Sequence, residues 1–244
     1  MCDLICIMKR DFLFAYYETP RGRLLKELEV GYLHSSIMVS CKQTILQIGG
    51  LGWENEFIDC SLYTNFTILD AKNRGCEAAK KIRAKAFHLP LQSDSVDMII
   101  LPHLLEFDAY RIQTMREIER ILKPEGTVVI LNFNPWSIWV RYQYLWDKRL
   151  ADSWKGHFIR RSRVIDWLKL LNFEVITVSQ FNLDSISTTH ANFAQSFSFS
   201  STSYAVKAIK RRYNLIPLTP VKELRPRLVL AGSNMVSHGQ QKHG

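Results

Sequence analysis

Two glycines, one aspartate and a few histidines are where this sequence first offers chemistry. Gly49 and Gly50 directly follow an apolar run containing Ile45, Leu46 and Ile48. A glycine turn after a buried strand lets a ligand approach the backbone closely, beside amide donors of the next segment. Any α/β nucleotide binder can carry such a turn. Asp70 closes the next apolar run, FTILD, 21 residues after Gly49. A carboxylate there can accept both hydroxyls of a ribose, although a strand-end aspartate can equally cap a helix. His103, after VDMIIL, and His157, in a basic stretch, are the candidate general bases. The plainer readings are a histidine hydrogen-bonded at a strand end and a surface histidine. Glu106 reads as the start or cap of the following helix. FNPW, residues 133–136, follows the run TVVIL, where a substrate-facing loop would emerge. There Asn134 and Trp136 are candidate acceptor contacts, against a structural turn at Asn134-Pro135 and core positions for Trp136 and Trp139.

The elements that must position these residues read as alternating strands and helices. After Thr19-Pro20, residues 21–34 place Leu24, Leu25, Leu28, Tyr32 and Leu33 on one helical stripe. The apolar runs around 45–48, 66–70, 96–101 and 127–131 read as buried parallel strands. Between the last two, Ile112, Met115, Ile118, Ile121 and Leu122 mark a helix that stops at Lys123-Pro124-Glu125-Gly126. Further on, residues 162–172 predict a helix with Val164, Ile165, Trp167, Leu168 and Leu171 inward. Strands are expected at 174–179 and 204–209, separated by a Ser/Thr-rich loop over 184–203. The pattern predicts an α/β doubly wound sheet in one domain, 1–232, with an N-terminal helical segment and a disordered tail at 233–244.

Composition narrows the class. The 244 residues are 47% hydrophobic and 23% charged, which suits a globular domain rather than a disordered chain. No apolar run reaches the ~18 residues of a membrane span, and the opening MCDLICIMKRDF lacks the order of a secretory signal. A cytoplasmic protein without integral membrane association is expected. The cysteines, Cys2, Cys6, Cys41, Cys60 and Cys76, are odd in number and form no CxxC pair. Free thiols and no metal site are expected. The net charge of +9 is concentrated in two stretches. Residues 141–163 hold seven Lys/Arg and two Asp, and residues 207–244 hold eight Lys/Arg and one Glu. Such a face can meet RNA or another anionic partner, or simply be solvated.

Two segments carry a resemblance. HLPLQSDSVDMIIL (88–101) and ERILKPEGTVVIL (119–131) resemble the "LPF-x-D-x-S-x-D" and "R-x-L-K-P-G-G" segments of class I S-adenosylmethionine-dependent methyltransferases, in the type 11 branch. The spacing from the glycine turn through Asp70 is similar too, so the likeness covers roughly residues 43–132. ETPRGRLLKELE, LPHLLEF, FNPWSIW, DWLKLLNFEV and IPLTP resemble a little-characterised bacterial branch and extend it to about 16–220.

The resemblance implies a Rossmann-like, three-layer αβα fold with seven strands, the last antiparallel. It implies S-adenosylmethionine bound at the carboxyl ends of the first strands. It places Gln47, Gly49 and Gly50 at the methionine part, Asp70 at the ribose, and Ala86, Phe87 and Leu89 near adenine. Leu101, Pro102 and His103 would border the methyl group. The sequence departs from the family at Gln47, where an acidic residue is usual, and at Lys85, where aspartate is common. The implied activity is methyl transfer to an acceptor that is a small molecule, or an RNA or protein met through the basic stretches. The alternative is a binding or regulatory protein that keeps the fold without catalysis. A nicotinamide-dependent oxidoreductase is disfavoured, because GGLGWE is not GxGxxG.

Overall fold

The run Ile45–Ile48 forms strand β1 and is buried at all four positions. A strand with no polar face needs cover on both sides, which is the setting of a parallel sheet between helices. In the computed structural model, which describes residues 10–37, 43–138, 140–142, 158–183, 187–190 and 201–212, β1 pairs parallel with β2 (Phe66–Leu69) and β4 (Val96–Pro102). Strand β3 (Lys80–Ile82) lies beyond β2, and β5 (Leu122–Phe133) lies beyond β4, both parallel. Strand β8 (Ser201–Lys210) runs antiparallel between β5 and β6 (Phe173–Asn182). Strand β7 (Ser187–His190) adds an antiparallel edge to β6. The order is β3-β2-β1-β4-β5-β8-β6-β7. The sheet is therefore the expected seven strands, the last antiparallel, plus the hairpin strand β7. The chain leaves β1 in one direction and β4 in the other, so the carboxyl ends of these two strands flank a switch-point crevice.

Each face has its own core. Helices α1 (Asp11–Tyr17) and α2 (Pro20–Ser36) cover one face, packing Phe12, Leu13, Leu25 and Leu33 on Ile45, Phe66 and Ile100. Thr19 caps α2 by accepting from Gly22 N at 3.0 Å, and Pro20 fills the first helical turn. Helices α3 (Arg111–Ile121) and α4 (Arg161–Leu170) cover the other face, packing Met115, Ile118, Val164 and Leu168 on Leu46, Ile99 and Val128. Truncating one of these side chains to alanine would cost ~2–5 kcal/mol.

Several expectations need correction. Leu24 and Ile112 sit on exposed helix faces, and Trp167 is only half-buried. The stretch 184–203 is not one loop: it holds β7 and the start of β8. Ser201, Thr202 and Ser203 are buried although polar, and the Ser201 and Ser203 hydroxyls bond Asn134 and Glu29, partners that hydropathy cannot reveal. Glu106 does not start or cap α3, whose N-cap position is Tyr110 with no side-chain cap. Asp108, just before it, accepts from Tyr110 N at 2.8 Å and from the Thr114 hydroxyl.

The two segments that carried the family resemblance hold each other. Arg120 donates to the carbonyls of Leu89 (3.1 Å) and Leu91 (2.9 Å) and pairs with Glu117. Asp94 N and Ser95 N donate to Arg120 O and Ile121 O. Buried Lys210 closes the joint, donating to Asp94 Oδ1 (3.1 Å) and the Leu122 carbonyl (2.7 Å). Together these bonds set the register of β4 against β5.

The chain divides after Arg212. Residues 213–244, the expected tail at 233–244 and most of both basic stretches lie outside the described residues, as do Trp139 and His157. Among the described residues no helix is long and apolar enough to cross a membrane.

Candidate cofactor and acceptor site

A cavity of about 220 Å³ opens at the carboxyl ends of β1, β2 and β4. Its polar wall begins at Gly49, whose φ of +97° is left-handed backbone. The positive φ demands glycine at 49, and at Gly50 a β-carbon would lie 2.2 Å from the Arg74 carbonyl oxygen. The turn is held from below by Glu54, a buried carboxylate in a short 3-10 segment, Glu54–Glu56. Its Oε1 accepts from Gln47 Nε2 (2.9 Å) and Leu51 N (2.6 Å), and its Oε2 accepts from Gly52 N (3.0 Å) and Cys76 N (2.8 Å). Gln47 thus points into the fold rather than into the cavity, and its Nε2 also donates to Gly49 O at 3.0 Å.

Asp70 closes β2 on the cavity wall. Its Oδ2 accepts from Gly50 N (3.0 Å) and Arg10 Nη1 (3.2 Å), and its Oδ1 from Lys72 N (2.7 Å). Arg10, just before α1, also reaches the Pro102 carbonyl at 3.1 Å. Burial pulls its guanidinium below the ordinary value, an effect the Asp70 charge opposes. Across the cavity stand Ala84, Ala86 and Leu104, with Phe87 tilted against Tyr110 at 4.6 Å between ring centroids. This second side is mostly apolar but includes Lys85 and Asp108.

Behind this wall lies a second, closed cluster. His103, fully buried at φ +46°, places Nε2 3.0 Å from Glu29 Oε1 and Nδ1 3.3 Å from Glu106 Oε1. Tyr17 donates to Glu29 Oε2 at 2.6 Å, Ser203 Oγ to Glu29 Oε1 at 2.9 Å, and Phe133 N to Glu106. Burial lowers the His103 pKa, but the two carboxylates outweigh it and the imidazole is pushed up to about 9. It is an imidazolium at neutral pH. The cluster ties α1 and α2 to the ends of β4, β5 and β8. By the same means it holds the helix that follows Arg10.

A smaller cavity, about 140 Å³, lies further along the same sheet edge. Asn134 and Trp136 line it with Arg160 and Arg161. Arg160 stacks on the Trp136 ring at 5.1 Å.

The comparisons with known proteins agree with this geometry. Residues 50–130 match the family described as a methyltransferase domain. The fold resembles a SAM-dependent methyltransferase from Archaeoglobus fulgidus, with a TM-score of 0.59, 19% identity, and coverage of 81% of this chain and 99% of that one. The YcgJ protein of Bacillus subtilis aligns with a TM-score of 0.53 and 16% identity, covering 77% of this chain and all of that one. The fold is thus the Rossmann-like one of SAM-dependent methyltransferases, and the family match lies on its first strands. The uncharacterised protein YafS of Escherichia coli (strain K12) is 30% identical over 139 residues, 57% of this chain. The chain spans 56% of the length of that relative.

Within this fold, the sequence-derived residues fall into three places. Gly49, Asp70, Ala86 and Phe87 line the larger cavity. Gly50 and Pro102 do not line it but bond residues that do: Gly50 N donates to Asp70, and the Pro102 carbonyl accepts from Arg10. Gln47, Leu89 and Leu101 do not line it: Gln47 is bonded to Glu54, while Leu89 and Leu101 are core residues beneath the sheet edge. His103 lies in the buried cluster and does not line the cavity. Both of its ring nitrogens face carboxylates that favour the protonated form, which has no free lone pair. Arg10, Glu54 and Tyr110 were missed. Arg10 and Tyr110 belong to no motif, and their nearness to Asp70 and Phe87 follows from chain crossings alone. Glu54 lies seven residues after Gln47, and only its burial reveals its role. Among the described residues, no group of three or more His, Cys, Asp and Glu is arranged to hold a metal ion.

Proposed function

We propose that the domain binds S-adenosylmethionine in the larger cavity and transfers its methyl group to an acceptor. The observation that carries this reading is a glycine turn with no room for a side chain at Gly50, beside a strand-end carboxylate, on the wall of a cavity whose far side is mostly apolar. A buried polar atom on the cavity wall adds to the fit. Arg10 Nε has no hydrogen-bond partner among the described residues. It is a donor, the complement of an amino acid's carboxylate. Asp70 would hold the ribose hydroxyls, and Ala86, Phe87 and Tyr110 the base. Because Arg10 now occupies Asp70 Oδ2, ribose binding asks the guanidinium to turn from Asp70 towards the ligand's carboxylate.

The bound cofactor supplies an activated methyl group, so the protein's share is alignment of the acceptor and exclusion of water. With His103 engaged by two carboxylates, the candidate base does not reach the cavity, which suits an acceptor that arrives with a free lone pair. A second reading, a fold kept for binding without catalysis, is favoured by the same Arg10–Asp70 ion pair, which fills the ribose position. Calorimetric titration of the full chain with S-adenosylhomocysteine, S-adenosylmethionine and NAD separates the two. Binding of S-adenosylhomocysteine with silence for NAD is expected. Silence for all three would replace the first reading with the second.

A further inference from the structure

Arg10 stands outside the sheet, just before α1, yet its guanidinium spans the carboxyl ends of three adjacent strands. Nη1 donates to Asp70 Oδ2 at the end of β2 (3.2 Å), and Nη2 donates to the Pro102 carbonyl that closes β4 (3.1 Å). Between them the group lies against Gly49, which follows β1: a β-carbon built there would stand 2.4 Å from Nη1 and 3.0 Å from Nη2. The side chain is 11% exposed, and its Nε has no hydrogen-bond partner among the described residues. A buried guanidinium with an unsatisfied donor is a group whose pairing is incomplete.

Asp70 has no acceptor position left for a ribose while this contact stands. An ionised carboxylate offers about four such positions. Oδ1 already accepts from Lys72 N (2.7 Å) and Arg74 N (3.5 Å), and Oδ2 accepts from Gly50 N (3.0 Å) and Arg10 Nη1. The first three donors are backbone amides, held by the turns that follow β1 and β2. Arg10 is the side chain among them, so it is the donor that can leave. Its departure uncovers Asp70 Oδ2, an acceptor for a ribose hydroxyl, and the Pro102 carbonyl, an acceptor for an ammonium.

We infer that Arg10 is a selectivity lock, which keeps this crevice closed to nucleosides that lack an amino-acid carboxylate and opens it to those that carry one. The inference rests on the S-adenosylmethionine reading. A ligand with the carboxylate exchanges one guanidinium–carboxylate pair for another, so no buried charge loses its partner. A nucleoside without it must compete with Arg10 for Oδ2, or displace a guanidinium that then has nothing to receive it. Separating a buried ion pair without a replacement is strongly unfavourable. Selectivity therefore comes from an element that acts against the wrong ligand as well as from a contact to the right one. A ligand turns the guanidinium only through a difference in affinity for its two positions, and the carboxylate supplies that difference.

The test titrates the full chain with S-adenosylhomocysteine, its decarboxylated analogue and 5′-methylthioadenosine, which share the adenosine thioether. In the parent the last two should bind at least about tenfold more weakly than the first. Arg10→Met removes the charge and keeps an apolar stem. In that variant S-adenosylhomocysteine should weaken, while 5′-methylthioadenosine and the decarboxylated analogue should tighten about tenfold over the parent, so that the preference collapses. Arg10→Lys, which keeps the charge and loses the span from Asp70 to Pro102, should fall between the two. Melting temperatures check that both variants fold. Equal affinity for the three ligands in the parent overturns the lock without recourse to any variant. So does 5′-methylthioadenosine that binds Arg10→Met no better than the parent, because a simple carboxylate contact behaves that way. S-adenosylhomocysteine bound by Arg10→Met and not by the parent would make Arg10 a permanent plug and overturn the part given to the carboxylate. Silence of all three ligands in the parent and in both variants would remove the S-adenosylmethionine reading itself, and the lock with it.

Discussion

Raising the pH from 6.5 to 9 should destabilise the fold through one residue, His103. The ring sits between Glu29 and Glu106 with no solvent exposure, and its pKa rises from 6.5 to about 9 on folding. A group raised in the folded state contributes stability that is fully present below its unfolded pKa and is lost as pH climbs through the folded one. The window is therefore about 6.5 to 9. A tenfold gain in proton affinity on folding is worth ~1.4 kcal/mol, so the loss across the window approaches ~3 kcal/mol. Coupling to two carboxylates makes that an upper bound. Urea unfolding at pH 6, 7, 8 and 9 measures it, and imidazole resonances followed over the same range give the midpoint directly. His103→Asn is the matching variant, since asparagine tolerates the positive φ at this position. It should cost ~3 kcal/mol or more at neutral pH, because it leaves two buried carboxylates without their cation. A ring midpoint near or below 6.5, or a stability that does not change across the window, would refute the clamp and reopen His103 as a titrating base.

Other perturbations probe the cavity wall. Asp70→Ala should lower S-adenosylhomocysteine affinity at least about tenfold by loss of charge-assisted hydrogen bonds; unchanged calorimetric binding by a folded variant would remove Asp70 from the site. Lys85 lines the cavity with its ammonium over the Phe87 ring at 5.7 Å. Lys85→Asp should tighten S-adenosylhomocysteine about tenfold by supplying an acceptor for the adenine amino group, while Lys85→Ala changes little; weaker binding in both would mean that lysine is itself a ligand. Glu54→Gln replaces an acceptor for four donors with a group that accepts at only one oxygen. The urea midpoint should reveal a loss of ~3 kcal/mol or more, and a midpoint unmoved would show that the glycine turn holds its shape without that charge.

The sequence alone determined what local pattern can encode. Buried parallel strands are runs such as Ile45–Ile48 and Val96–Pro102, apolar on both faces, and they announce themselves without neighbours. The α3 stripe of Met115, Ile118 and Ile121 does the same through its period. From these followed a parallel sheet wrapped by helices, while the edge at which the glycine turn and Asp70 would meet came from the family resemblance, and the strand order from the structure. Polar strands left no such trace: β3 is Lys-Lys-Ile, and the start of β8 is Ser-Thr-Ser, buried by partners that lie far away in sequence. Tertiary structure alone decided the chemistry of individual side chains. His103 looked like a base because it follows a strand at the right place, but whether a ring is free depends on what packs over it. Here that is Glu29, which lies 74 residues away on α2. Arg10 stands 60 residues from Asp70 and shares no motif with it. A hydrogen bond is fixed by three-dimensional approach within a few tenths of an ångström, and spacing along the chain carries no such information until the fold has closed.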